Sequence, residues 1–567
     1  MFYRFRSLIS ANIFAILVLF CIFAEAQRPD FNRVRTFDAE HYVIKTGFDR
    51  RKRIVFGETT ITLKPIANNF RRIELDAEGL EFSSIVLLPK NIALDHRSLN
   101  GKVAISLDKP YSPADQIIIK LVYSAKPKKG VYFVNEIKRG NEVTRPAQVW
   151  TQGEPAETRH WFPSYDFPDD KATTEQFITV EKHEIAISNG IVRDVKANPD
   201  GTKTFHFMMP YPHSVYLTSF VVGNYKKIEE KYEQIPLSYY VYPKRTDLVP
   251  LAFGTTKDAM RVFEELTGMK YPFHKYDQTI VADLVFGGME NITATTMSDI
   301  DMYLAYKEST RPTVVDVVSH ELAHSWFGNL VTNRNWAELW LNEGFATFME
   351  AAFREKIYGR ANYIRKIKSD VAVYIADDSH NTSKHGLFNT LADPENDDSM
   401  FDNITYEKAG AVIHTLREEI GDEAFWRAIN RYLETHKFGN VETSDLQKVM
   451  EDSSKRDLGW FFDQWVYGSG YPKLDVGTVY SRGAKTVEIS ISQNQKSEAL
   501  VPEVFILPLE IRLKSETGDK LVSAKLTKRD QNFTFNVDAG FTGIEIDPNE
   551  KIPVKTVKLQ KMSVRSE

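Results

Sequence analysis

Apolar and polar positions change their period twice along this chain of 567 residues. From 27 to 232 the period is close to two. Ile54, Phe56, Thr59, Ile61 and Leu63 roughly alternate around Gly57. Ile117–Ile119 with Leu121 and Val122 form a short apolar run that stops at Lys126-Pro127 and Gly130. Successive side chains on a strand face opposite ways, so such runs predict strands, and turn formers such as Asn198-Pro199-Asp200-Gly201 separate them. The pattern changes after about Thr246, and helical stretches dominate from Leu248 to Trp465, inside an expected middle domain at 233–470. Asp422–Lys437 carries Phe425, Trp426, Ile429 and Leu433 at helical spacing, and another helix is expected to open near Thr443-Ser444-Asp445. Gly468-Ser469-Gly470 and Pro472 break that pattern. From 471 to 567 the period returns to two: Val487, Ile489 and Ile491 alternate with Glu488 and Ser490, and Leu509, Ile511 and Leu513 precede a turn at Gly518-Asp519. Phe533, Phe535 and Val537 repeat the pattern, which predicts a small β-sandwich. The expected fold class is therefore multidomain α+β: an N-terminal β-sheet domain, a mostly helical middle domain and a C-terminal β-sandwich.

The first 26 residues stand apart. Arg4 and Arg6 precede an apolar run from Ile13 to Ala24, and Ala24-Glu25-Ala26 stands before Gln27. That order of basic, apolar and small residues is the pattern of a secretory signal peptide, so 1–26 is expected to be removed and the protein to be secreted or periplasmic. The alternative is a signal-anchor retained at a membrane, although the apolar run is short for a span. Cys21, the sole cysteine, lies inside this segment. The remainder has neither a disulfide framework nor a thiol nucleophile. A formal net charge of −5 without a basic block argues against nucleic acid as a partner.

Candidate chemistry concentrates in Ser319–Leu330, which reads SHELAHSWFGNL. His320 and His324 are four apart, so on a helix they share a face and can reach one metal ion. Glu321 projects beside them, suited to polarise water rather than bind the ion. A catalytic zinc site needs a third protein ligand and an open position. Trp336, Leu339 and Trp340 form an apolar helical stripe, and Glu343 falls on it, where a carboxylate is costly unless paired or bound to metal. Two satisfied histidines and a solvated glutamate are the plainer reading of each residue alone. Together they read as a site for one zinc ion, held by His320, His324 and Glu343, with Glu321 as general base.

HELAHSWFGNLVT followed by WLNEGFATF resembles the zinc aminopeptidases of the aminopeptidase N family. Gly287-Gly288-Met289-Glu290-Asn291 is similar to that family's Gly-x-Met-Glu-Asn motif. Thr151-Gln152-Gly153-Glu154 with Phe162-Pro163 and Asp166 is similar to its substrate-facing N-terminal segment, and Ile404-Thr405-Tyr406-Glu407-Lys408 to the segment carrying its catalytic tyrosine. The resemblance implies a thermolysin-like zinc domain at 233–470, peptide substrates with a free N-terminus, and Glu154 and Glu290 as the groups that hold the α-ammonium. It implies Tyr406 as oxyanion donor, while Gly287 and Gly288 would let backbone pass close to a substrate strand. Two departures stand out. Ala409 precedes Gly410 where the family usually has glycine straight after the lysine, and the large helical cap domain of many relatives has no counterpart in the pattern. Oligomeric state stays open. A thermolysin-like endopeptidase, an epoxide hydrolase and a secreted peptide-binding protein with structural zinc are the competing readings; only the aminopeptidase needs Glu154 and Glu290.

Overall fold

Alternation in the N-terminal part becomes a set of sheets in the computed structural model, which describes residues 32–378, 384–538 and 540–565. The expected signal segment lies outside the described residues. An eight-stranded sheet has Phe37–Asp49 near its middle, antiparallel to Ile54–Pro65 and parallel to Ala172–Val180. Ile61 and Leu63 are buried on Ile54–Pro65, as the period of two requires. A second, four-stranded sheet carries the functional edge of this region. Its order is Ile185–Ser188, Phe220–Gly223, Gln148–Thr151, Val131–Val134.

The middle region is mostly helical but starts on a sheet. Lys226–Tyr232 pairs with Ile235–Val241, followed by Tyr276–Val281, Ala294–Ser298 and the short edge strand Gly288–Met289. This sheet opens ahead of position 233, the expected start of the middle domain. Lys226–Tyr232 is solvent-facing and charged, so its sequence resembles its neighbours upstream, while its hydrogen bonds go downstream. Behind the sheet lie the helices Thr256–Thr267, Arg311–Ala323, Trp340–Tyr358 and Arg360–Asp378. Pro312 stands in the first turn of Arg311–Ala323, where its missing N–H costs nothing. The expected helix from Asp422 ends at His436. The helix expected near Thr443 runs to Ser454 and is capped by Glu442, whose side chain and that of Asp445 form a reciprocal box.

C-terminal strands form two sheets. One orders Asp530–Asn536, Thr486–Gln493, Lys473–Ser481 and Thr556–Leu559, and the other orders Lys520–Leu526, Leu507–Ser515 and Phe541–Ile546. Tyr480 and Phe541 bring them together, ring centroids 5.2 Å apart. Gln464 bonds to Ile506 through both its amide nitrogen and oxygen, and His414 Nε2 donates to the Glu550 carbonyl at 2.8 Å, which fixes these strands to the helices. Among the described residues no helix is long and apolar enough to cross a membrane.

Candidate metal centre and peptide cleft

The helix Arg311–Ala323 places His320 in its last turn, and His324 follows as its C-terminal cap. The chain turns through Trp336–Glu338 and returns as Trp340–Tyr358, with Glu343 in the first turn. Three ligand atoms converge as the spacing implied: Glu343 Oε2 lies 3.2 Å from His320 Nε2 and 3.4 Å from His324 Nε2. Four ligands at zinc bond lengths of about 2.0–2.1 Å stand ~3.3–3.4 Å from one another in a tetrahedron, so the donor spacing fits that ion.

Tautomers support the same fit. His324 Nδ1 donates to the Phe327 carbonyl at 2.9 Å, and His320 Nδ1 donates to Glu350 Oε1 at 2.8 Å. With one proton held at Nδ1, each Nε2 faces Glu343 Oε2; without metal it can carry a second proton bonded to that oxygen, and a cation there takes the proton's place. Burial raises the Glu343 carboxyl, but the His324 charge and the bonds from both histidines outweigh it and hold it at about 2. Burial lowers His324, yet Glu343 and Glu290 carry it up to about 9. Glu350 was not legible as a site residue. It stands seven positions after Glu343 on the same helix, also buried, and a second carboxylate on that stripe is the signal that marks it. Lys366 Nζ pairs with Glu350 at 2.9 Å and with Asp370 at 2.8 Å, so the charge behind His320 is itself compensated.

Glu321 faces the same space. Burial pushes its carboxyl up to about 8, against the opposing charges of His320 and His324. Gly288 lies directly over it. A Cβ there would stand 2.4 Å from Glu321 Cδ and Oε1. Gly288 thus has a second reason to be glycine beyond lining the cleft on an edge strand: it makes room for the carboxylate. A Cβ on Gly287 would only touch Val317, at 3.3 Å.

Glu154 comes from the other region of the chain, just past the strand Gln148–Thr151. Its loop is held against the middle region by bonds that cross between the two. Trp150 Nε1 donates to the Ala282 carbonyl at 3.1 Å, Gln148 Oε1 accepts from Ala282 N at 3.1 Å, and Asn189 Nδ2 donates to the Ile292 carbonyl at 2.8 Å. Gly153 lets the loop pass against the Tyr216 carbonyl, which a Cβ would approach to 2.0 Å. Glu290 is anchored by its backbone, whose carbonyl accepts from Asn329 Nδ2 at 2.9 Å. Glu154, Glu290 and Glu343 bring carboxylate oxygens within 4.8 Å of one another, and so do Glu290, Glu321 and His324 with their ligand atoms. Burial and the surrounding carboxylates raise Glu154 well above its ordinary value; burial likewise raises Glu290, opposed by His324.

These groups line a cavity of about 620 Å³ with Gln152, Phe286, Val317, Phe401 and Tyr406 on its walls. Buried oxygens on Gln152, Glu154, Glu290 and Glu321 have no hydrogen-bond partner. All four are acceptors, so this part of the cavity offers unpaired acceptors to a ligand that carries donors. Tyr406 stacks beside His320 with centroids 6.0 Å apart. It lies on a π-helical turn, Ile404–Lys408, that leads into the helix Ala409–Ile420. Ala409 and Gly410 explain the departure seen in the sequence: Ala409 meets Gly344 and Gly410 meets Thr347, so both small residues let the tyrosine helix press against the glutamate helix. Gln152, quoted only as part of a motif, joins the site through Nε2, which contacts Met289 Sδ at 3.1 Å.

Comparison with known proteins finds peptidase family models and aminopeptidase relatives. The Peptidase family M1 domain matches residues 251–465, and the Peptidase M1 N-terminal domain matches 38–217. Glutamyl aminopeptidase of Bos taurus is 33% identical over 354 residues, 61% of this chain and 36% of that protein. Aminopeptidase 2 of Candida albicans is 28% identical over 348 residues, 61% of this chain and 37% of that protein. Probable aminopeptidase 1 of Saccharolobus solfataricus is 24% identical over 487 residues, covering 84% and 58%. The matched part of the chain thus spans little more than a third of the first two relatives' length.

Proposed function

The chain belongs to peptidase family M1, and from that premise we propose that it is a zinc aminopeptidase that removes residues from the N-terminus of peptides. The convergence of Glu154, Glu290, Glu321 and Glu343 on one cavity, with unpartnered oxygens on the first three, carries this reading. Buried carboxylates this close repel one another unless cations lie between them. The arrangement suits one cation at Glu343 and the histidines and a second, an α-ammonium, at Glu154 and Glu290.

His320, His324 and Glu343 would hold zinc; when bound, the ion supplies a Lewis acid that polarises the scissile carbonyl and acidifies water. Glu154 and Glu290 accept N–H bonds from the peptide's ammonium. Such charge-assisted bonds fix which peptide bond reaches the reacting position. Glu321 takes a proton from the water as its oxygen attacks the carbonyl carbon, and passes that proton to the leaving amine as the C–N bond breaks. Tyr406 donates its O–H to the oxygen on which negative charge develops. Glu350 keeps the His320 ring in the tautomer whose Nε2 is free. The pattern across Arg4–Ala26 supports export of the chain; N-terminal sequencing of secreted material is expected to begin at Gln27.

Amino-acid anilides with free and acetylated amines, each with and without a chelator, test the assignment. Free substrates are expected to turn over, acetylated ones to be refused, and chelation to abolish activity until zinc is returned. Equal cleavage of acetylated peptides would replace this reading with an endopeptidase, and turnover indifferent to metal removal would end it.

A further inference from the structure

We propose that His385 and Asp402 form a pair that positions Tyr406 in the cleft, an inference that rests on the oxyanion role given to Tyr406 above. Asp402 stands four residues before the tyrosine and holds the start of its turn at three points. Oδ1 accepts from the backbone N–H of Ile404 and of Thr405, both at 3.0 Å, and the Asp402 carbonyl accepts from Tyr406 N at 3.2 Å. A carboxylate fastened only through one oxygen can still rotate about its χ torsions. The other oxygen, Oδ2, is held by His385, whose Nε2 donates to it at 2.7 Å. His385 Nδ1 donates to the Gly386 carbonyl at 2.7 Å, which sets the ring's plane. His385 is 3% exposed, so water cannot readily substitute for either bond.

The far end of the pair is anchored to rigid backbone. A Cβ on Gly386 would lie 2.5 Å from the Val466 carbonyl and 2.7 Å from that of Tyr467, so this segment runs tight against the end of the helical region. Phe388 N donates to the Val466 carbonyl at 3.2 Å. Asn389 N donates to the Ala337 carbonyl at 2.8 Å, in the turn that leads into the glutamate helix. The segment that carries His385 is thus tied at Asn389 to the turn ahead of the glutamate helix, and at His385 to Asp402. The π-helical turn makes such bracing necessary. As in any helix its first N–H groups have no intrahelical acceptor, and those of Ile404, Thr405 and Tyr406 are taken by Asp402. Asp402 reaches the cavity wall and His385 does not, and the chemistry assigned above uses neither of them directly. Their effect passes through Tyr406.

A double-mutant cycle tests this on the full chain with an unblocked anilide. His385→Ala and Asp402→Asn are expected to lower kcat by about 10–100-fold, the scale of a misplacement near 1 Å, with KM within about threefold and zinc content unchanged. In a Tyr406→Phe background the same substitutions are expected to cost less than about twofold more, because residues that act as a unit are not additive. His385→Gln, which can still donate to Asp402, is expected to recover part of the loss; it is the variant to read if His385→Ala does not fold. A crystal structure of the His385 variant should show the Tyr406 ring displaced. Multiplicative losses in the cycle, parental kcat in the His385 variants, or an unmoved ring overturns the inference while leaving the aminopeptidase reading intact. Parental kcat in Tyr406→Phe removes the oxyanion role itself, and the positioning pair with it.

Discussion

Gly288→Ala is the sharpest probe of how the cleft is built. The new Cβ would sit 2.4 Å from Glu321 Cδ and Oε1 and 2.6 Å from Cγ, where ordinary contact begins at 3.4 Å. The edge strand that carries it is fixed by its pairing with Ala294–Ser298, so the carboxylate gives way rather than the backbone. A retreat of about 1 Å follows, and a misplacement of that size costs ~100-fold in rate, or ~2.7 kcal/mol in the barrier. The three atoms nearest the new methyl all belong to Glu321, so His320, His324 and Glu343 are expected to keep their places. Expected, then, is a fall of about 100-fold in kcat, with parental zinc content and a melting midpoint within a few degrees. Gly287→Ala is the control. Its methyl would meet only Val317, at 3.3 and 3.4 Å, and should change kcat by less than about fivefold. The assay is steady-state hydrolysis of an unblocked anilide alongside metal analysis of the same preparations. Two results refute the reasoning: Gly288→Ala with kcat within threefold of the parent, or a loss that tracks lost zinc instead of a displaced base.

Three further expectations follow from the same site. Glu350→Gln leaves His320 Nδ1 with a weaker acceptor, so zinc affinity should fall by about 10–100-fold in a competition titration with a chromophoric chelator; unchanged affinity would deny Glu350 its orienting role. Glu290→Gln removes one charged acceptor for the ammonium, and kcat/KM for free substrates should fall by about 10–150-fold, the equivalent of ~1.5–3 kcal/mol; no change would point to another anchor. Metal-free protein should lose stability as pH rises from 5 to 9. Glu321, raised to about 8, still holds a proton that the unfolded chain has released, and His324, raised to about 9, does so above its ordinary value, so the folded state binds more protons and alkali favours unfolding. Zinc takes the place of the protons on His320 and His324, so the gain in melting midpoint on adding zinc should be larger at pH 8 than at pH 6, and a gain independent of pH counts against the site.

How much of this was legible in the chain depends on which bonds fix each residue. His320, His324 and Glu343 could be read because their chemistry conflicts with their surroundings. Each is an ionisable group in an otherwise apolar stretch, and local periodicity puts them on two helices that follow one another in the chain. Glu154 and Glu290 are loop residues with no such conflict; family resemblance picked them out, and the physical reason for their placement is a set of bonds such as Trp150 to Ala282 and Asn189 to Ile292, more than 100 positions apart in sequence. No local pattern encodes those. Glu350 lay in plain view on the same stripe as Glu343, but its role depends on which nitrogen of His320 faces it, and that follows from three-dimensional placement of the ring. The pairing of Lys226–Tyr232 with Ile235–Val241 is illegible for a related reason: strands announce themselves by period, while the sheet they join is decided by edges that sequence does not display. Gly288 completes the contrast. A glycine can be recognised as a place where backbone must come close to something, yet what comes close here is the chain's own Glu321 side chain as well as whatever occupies the cleft. The glycine's spacing from the histidine helix is therefore a constraint on the base itself. If the position is required to stay glycine, that requirement comes from the geometry of catalysis even when the substrate changes.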